Sequence, residues 1–257
     1  EDIELNQESE QELRKIIAYA KNRAVVYEKY GFGRKMPYGR GFSVLLYGPP
    51  GTGKTMAATV LANELKLDIY RIDLSQIGSK YIGETEKNLS SIFETGKHAN
   101  AILFFDEADA LFTKRTEISS SNDRYANAEI AYLLQKIEEY DGISFLATNN
   151  LNNFDVAFRR RLTFIVPMNL PDAQIRQRLW EKVFPEEMPK DNIDFSIISS
   201  QAEMSGSSIK SAALQAAYLA AWEKRPVTRL DVVDAIDREY KKNGALSIRQ
   251  ELIRGKL

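Results

Sequence analysis

The run Gly48-Pro49-Pro50-Gly51-Thr52-Gly53-Lys54-Thr55 fits the pattern G-x-x-x-x-G-K-[ST]. Small residues there let backbone N–H groups approach phosphate oxygens, and a helix starting at the loop turns the positive end of its dipole towards the anion. Lys54 is placed to reach the β- and γ-phosphates of a nucleoside triphosphate, and the Thr55 hydroxyl to ligate Mg2+. A Gly/Pro turn between a strand and a helix is the plainer explanation of such a run. The context favours a phosphate loop, because an apolar run at 44–47 enters it and a helical pattern leaves through Met56-Ala57-Ala58.

A second constellation is Ile102-Leu103-Phe104-Phe105-Asp106-Glu107-Ala108-Asp109, an apolar strand pattern ending in acids. Such a strand places its carboxylates at the carboxyl edge of a sheet, where α/β folds bind ligands. Asp106 suits holding Mg2+ through water, and Glu107 suits polarising an attacking water as general base. A helix cap with first-turn acids is the competing explanation. A small-molecule kinase would not require the second acid, so the pair points to hydrolysis. A third apolar run, 143–147, ends in Thr148-Asn149-Asn150, where an Asn can orient water or touch a γ-phosphate, or merely sit in a turn. The consecutive Arg159, Arg160 and Arg161 fit either a solvated patch or cations supplied to a neighbouring subunit's γ-phosphate.

These residues need a frame to bring them together. Short apolar runs at 44–47, 68–74, 102–105, 143–147 and 163–166 alternate with helical patterns at 53–65, 85–97, 124–139 and 155–160. That alternation predicts a mostly parallel sheet with helices on both faces. From Pro167-Met168-Asn169-Leu170-Pro171 onward the periodicity is helical, at 172–183, 206–222 and 228–241. Before the sheet, 9–29 reads as a charged amphipathic helix and 30–41 as a Gly/Pro-rich linker. The predicted organisation is an acidic helical lead-in and linker (1–38), an α/β nucleotide-binding domain (39–170) and a helical lid (171–257).

Composition removes other chemistries. No cysteine among 257 residues excludes a disulfide scaffold and thiolate metal sites, and is easiest to reconcile with a reducing, cytoplasmic setting. With 35 Lys+Arg against 36 Asp+Glu there is no electrostatic footprint for nucleic acid. The longest uncharged runs, 41–53 and 142–154, are too short to span a membrane. The start, Glu1-Asp2-Ile3-Glu4, lacks an initiator Met and a basic leader, which points to an excerpt or a processed chain.

In this order the motifs resemble those of the AAA+ ATPases, in the AAA branch, over residues 30 to 245. Residues 48–55 resemble Walker A, which with Met56 implies the nucleotide contacts, and 102–107 resemble Walker B. Asn149 stands where the family keeps its sensor 1 Asn, and Arg160 and Arg161 where the branch keeps paired arginine fingers. The resemblance implies a five-stranded parallel sheet in the order 5-1-4-3-2 with a helical lid. It also implies ATP and Mg2+ as ligands, a hexamer formed with ATP, and a polypeptide or protein-complex substrate. Gly206-Ser207-Ser208-Ile209 lacks the sensor 2 Arg of other branches; Gly206 and Ser207 would lie near base and ribose, and Lys210 is the nearest cation. Residues 79–89, with Lys80, Tyr81 and Ile82, resemble the pore loop that grips substrate, although an aromatic and an Ile beside Gly83 also fit local packing. Those strings and 104–124 together resemble the ATPases of extracellular contractile injection systems, phage-tail-like particles.

Two functions compete, a ring-forming motor that remodels, threads or disassembles a protein substrate, and an ATP-controlled assembly switch without threading. Further expectations are a surface or capping role for His98, lid-core positions for Trp180 and Trp222, a solvated acidic start, and a mobile polar loop at 113–123.

Overall fold

In the computed structural model, residues 3–36, 40–74, 84–109, 121–154 and 156–254 are described. The chain divides into an α/β unit, Gln7–Pro49 with Lys54–Met168, and a helical unit, Glu1–Asn6 with Pro50–Gly53 and Asn169–Leu257.

In the α/β unit, strands β1 (Phe42–Tyr47), β2 (Ile69–Asp73), β3 (Ile102–Asp106), β4 (Ile143–Thr148) and β5 (Phe164–Pro167) form one sheet. Its order is β2-β3-β4-β1-β5 and every pairing is parallel, the expected 5-1-4-3-2 arrangement read from the other edge. The central strands β1, β3 and β4 read as predominantly apolar runs because both faces are covered, with Ser43, Ser144 and Thr148 buried among them, and Ile102, Leu103, Phe104 and Phe105 are each 0% exposed. Burial of such side chains stabilises by about 1.5–3 kcal/mol each. Edge strand β2 differs, with Tyr70 and Arg71 exposed and Ile72 buried.

Helices α1 (Gln7–Ala24), α2 (Phe32–Lys35), α3 (Lys54–Leu65), α4 (Glu84–Ala99), α5 (Ser121–Glu139) and α6 (Val156–Arg159) belong to this unit. One face of the sheet packs Leu45, Leu103, Phe105 and Leu146 with Leu89 and Phe93 of α4 and Leu133 and Ile137 of α5. The predicted helix at 9–29 is α1 followed by a wide helical turn, Val25–Lys29. The linker expected at 30–41 contains α2, so it is not wholly loop. Of the polar loop expected at 113–123, residues up to 120 lie outside the described ones, and α5 already begins at Ser121. His98 is exposed in the last turn of α4.

The helical unit contains α7 (Ala173–Val183), α8 (Phe195–Gln201), α9 (Gly206–Trp222), α10 (Arg229–Lys242) and α11 (Arg249–Arg254). The short α8 and α11 carry too few turns to show a period, and the sequence gives no sign of them. Asp172, Asp194, Ser205 and Thr228 cap four of these helices by accepting backbone N–H bonds, each cap stabilising by about 1 kcal/mol. Trp180 is 0% exposed and stacks on Phe195 at 5.6 Å between centroids. Trp222, expected in the core, is instead 86% exposed. On α9 the packed face is Ile209, Ala212, Ala213, Ala216 and Ala220, while Leu214, Tyr218 and Trp222 lie on the open face. Small residues permit close helix packing, so the larger apolar side chains take the outside. The acidic start is not simply solvated either: Glu4 receives Arg178 Nε and Lys182 Nζ of α7, both at 2.6 Å.

Candidate functional site

In the α/β unit the phosphate loop leaves β1 at Gly48. Its φ is +151°, and a Cβ there would lie 2.0 Å from the carbonyl oxygen of Met168, so no side chain fits. Lys54, at the start of α3, donates from Nζ to the carbonyls of Gly48 (2.6 Å) and Pro49 (3.0 Å) and to Asn149 Oδ1 (2.9 Å). Burial lowers the Lys54 pKa, while the nearby Asp106 and Asp109 charges act in the opposite sense. Thr55 follows, half-buried, and Met56 is exposed.

Strand β3 delivers Asp106 to the same sheet edge. Its Oδ1 accepts the N–H of Glu107 at 3.0 Å, and its Oδ2 accepts Arg71 Nη2 at 2.6 Å and Nε at 3.1 Å. Glu107 has φ +51°, in the left-handed region that non-glycine residues enter at a cost, often at functional sites. Two residues on, the Asp109 carboxylate takes the Asn149 N–H at 2.8 Å and Asn153 Nδ2 at 3.1 Å. The Thr148 hydroxyl also donates to Asp109. Asp109 therefore fixes the end of β4, and with it Asn149, against the turn after β3.

Asn149, expected near the phosphates, is thus brought to Lys54. Arg160 and Arg161 follow α6 and are exposed, with Arg161 Nη1 3.3 Å from Glu138. Arg159 is half-buried, and its Nε is buried without a hydrogen-bond partner among the described residues. Lys80, Tyr81 and Ile82 lie outside the described residues.

In the helical unit, Pro50–Gly53 keeps company with the N-terminus of α9. Gly51 has φ +76°, its carbonyl accepts the Ser207 N–H at 3.2 Å, and a Cβ on it would meet Ser207 Oγ at 2.0 Å. Thr52 is half-buried, and Gly53 has φ +93°. Ser205 accepts the Ser208 N–H at 3.2 Å, which fixes the turn carrying Gly206 and Ser207.

The donor set suits Mg2+. Thr55 and Asp106 offer hard oxygens, and Mg2+ is usually held by one or two protein oxygens together with substrate phosphates. Among the described residues no group of three or more His, Cys, Asp or Glu could cage a metal by itself. The glycine positions that a Cβ would fill give backbone the room to face phosphate oxygens.

Sequence reasoning missed Arg71 and assigned no role to Asp109. The available signals were an arginine in the middle of the strand run at 68–74 and a carboxylate three positions beyond Asp106.

A five-stranded parallel sheet with a Gly-Lys-Thr loop after β1 and an Asp at the end of β3 defines a P-loop nucleotide-binding protein. Residues 44–170, just under half of the chain, match the family described as AAA, ATPase family associated with various cellular activities. The chain is 32% identical over 254 residues to the proteasome-activating nucleotidase of Saccharolobus islandicus, covering 95% of this chain and 63% of that protein. The same figures hold for the proteasome-activating nucleotidase of Saccharolobus solfataricus. That of Pyrococcus abyssi is 33% identical over 237 residues, covering 89% of this chain and 58% of its own length. The chain thus spans less than two thirds of the curated relatives it matches.

Proposed function

We propose that the chain is the ATP-hydrolysing engine of a ring-forming motor acting on a protein substrate. The observation that carries this is the convergence at one sheet edge of Lys54, Asn149, Asp106 and Asp109, with Lys54 Nζ 2.9 Å from Asn149 Oδ1. Lys54 and the backbone N–H groups of Gly51, Thr52 and Gly53 bind and orient the phosphates, Gly48, Pro49 and Pro50 shape the loop around them, and Thr55 and Asp106 would hold Mg2+. When bound, that ion draws charge from the β- and γ-phosphate oxygens. Glu107 takes a proton from water as its oxygen bonds to the γ-phosphorus and the bond to the leaving oxygen breaks. Asn149 orients that water, and Gly206 and Ser207 contact the nucleotide beside Gly51. Residues 39–170 act as the nucleotide domain and 171–257 as its lid.

Arg160 and Arg161 serve a neighbouring subunit's γ-phosphate within a hexamer assembled with ATP; their exposure after α6 supports this. The relatives' name, proteasome-activating nucleotidase, couples nucleotide turnover to a protein partner and supports a polypeptide or protein-complex substrate gripped by Lys80, Tyr81 and Ile82. A role as a component of a contractile injection system is the narrower reading, carried only by the resemblance of residues 79–89 and 104–124. A cytoplasmic setting is part of the proposal; no described helix is long and apolar enough to cross a membrane.

The test is Glu107→Gln. Nucleotide binding and ATP-dependent assembly should persist while turnover falls by about 10²–10⁴-fold, the range for loss of a general base. Unchanged turnover would remove Glu107 from the role. ATP-driven assembly of the wild type without any remodelling of protein substrates would favour the assembly switch.

A further inference from the structure

The carboxylate assigned above to Mg2+ is already paired. Both Nε and Nη2 of Arg71 aim at one oxygen of Asp106, Oδ2, at 3.1 and 2.6 Å, and the other oxygen takes the Glu107 N–H at 3.0 Å. The two side chains reach each other because β2 and β3 pair in parallel, with Asp73 opposite Asp106, so Arg71 shares the sheet face of both acids. The Asp106 side chain is 16% exposed and that of Arg71 66% exposed. Arg71 therefore contributes little to the packed core. Its guanidinium stands in solvent at the mouth of the site, on a long stem that can leave the carboxylate without disturbing the sheet.

We propose that Arg71 is a tethered counter-cation that competes with Mg2+ for Asp106, so that nucleotide binding by this chain answers to the free Mg2+ concentration. The proposal rests on the assignment of Asp106 to the metal and adds a regulating group to that site. A divalent ion must share Oδ2 with a full positive charge or displace it. A single charge and a double charge about 6 Å apart repel, even at the dielectric constant of water, enough to weaken binding by about tenfold. Arginine is needed for the geometry and any cation for the repulsion, which separates charge from packing in the variants below.

The experiment titrates Mg2+ against the full chain with a fluorescent ATP analogue and reads bound nucleotide. Arg71→Gln should lower the half-saturating Mg2+ concentration by about tenfold, and Arg71→Lys should stay within about threefold of wild type. Asp106→Asn should raise it. An unchanged or higher half-saturation for Arg71→Gln, with Asp106→Asn responding as stated, overturns the competition and leaves the metal site standing. An Asp106→Asn variant with unaltered Mg2+ dependence overturns the metal assignment and the competition with it. A fall for Arg71→Lys as large as for Arg71→Gln overturns the charge argument.

Discussion

Replacing Asp109 by Ala tests whether the end of β4 is positioned from the turn after β3. The carboxylate takes the Asn149 N–H at 2.8 Å, Asn153 Nδ2 at 3.1 Å and the Thr148 hydroxyl. Hydrogen bonds to a charged group contribute about 1.5–3 kcal/mol each. The sum overstates the loss here. Asn149 is exposed, so its N–H returns to water, and the Thr148 hydroxyl has the Asn150 carbonyl 3.2 Å away as a second acceptor. A net cost of about 2–3 kcal/mol remains, or roughly 5–10 °C in thermal midpoint for a protein of this size. The functional effect should exceed the structural one, because Asn149 Oδ1 also receives Lys54 at 2.9 Å. A displacement of about 1 Å in a positioning group can cost 10²-fold. Turnover should therefore fall by about 10–100-fold while nucleotide affinity moves only a few-fold. Asp109→Asn, which keeps an acceptor without the charge, should fall between. The assays are calorimetry, steady-state phosphate release and nucleotide binding on the same preparations. An Ala variant with turnover within about threefold of wild type and a midpoint within about 2 °C would refute the positioning role.

The two tryptophans should behave oppositely on truncation. Trp180→Ala should destabilise by about 3–5 kcal/mol and Trp222→Ala by no more than about 0.5, measured by urea unfolding followed by circular dichroism; equal losses would contradict the burial pattern. Arg225 grips Asp231 through two bonds, at 2.6 and 2.8 Å, and with Thr228 holds its carboxyl well below the usual range. A depressed carboxylate pKa contributes stability that is present above the unfolded value, about 3.9, and lost as pH falls below it. The wild-type midpoint should therefore fall more steeply between about pH 4 and 2 than that of Asp231→Asn; parallel profiles would remove Asp231 as a source of acid sensitivity.

Much of the sheet was readable because its determinants are local. A phosphate loop must be small at fixed positions, and a strand buried on both faces must be largely apolar, as 102–105 is. Strand order followed only from family resemblance, since periodicity says nothing about neighbours. The misreadings share a cause, a partner distant in the chain or hidden by composition. Glu4 looked like a solvated acid because Arg178 and Lys182 lie far along the chain. Arg71 meets Asp106 across a strand pair, which no spacing rule anticipates. Trp222 was misplaced because α9 is apolar almost all round, leaving no polar face to orient it.

The placement of the tryptophans also fixes what light can report. Residues 180 and 222 are the only two, and both fall in the helical unit, so tryptophan emission from this chain is silent about the α/β unit and its sheet edge. Trp180, enclosed with Phe184 and Phe195, should emit to the blue and resist iodide, whereas Trp222 should emit to the red and be quenched freely. The chain thus carries its own pair of optical probes, one answering to the packing of the helical unit and the other to whatever comes to cover the open face of α9.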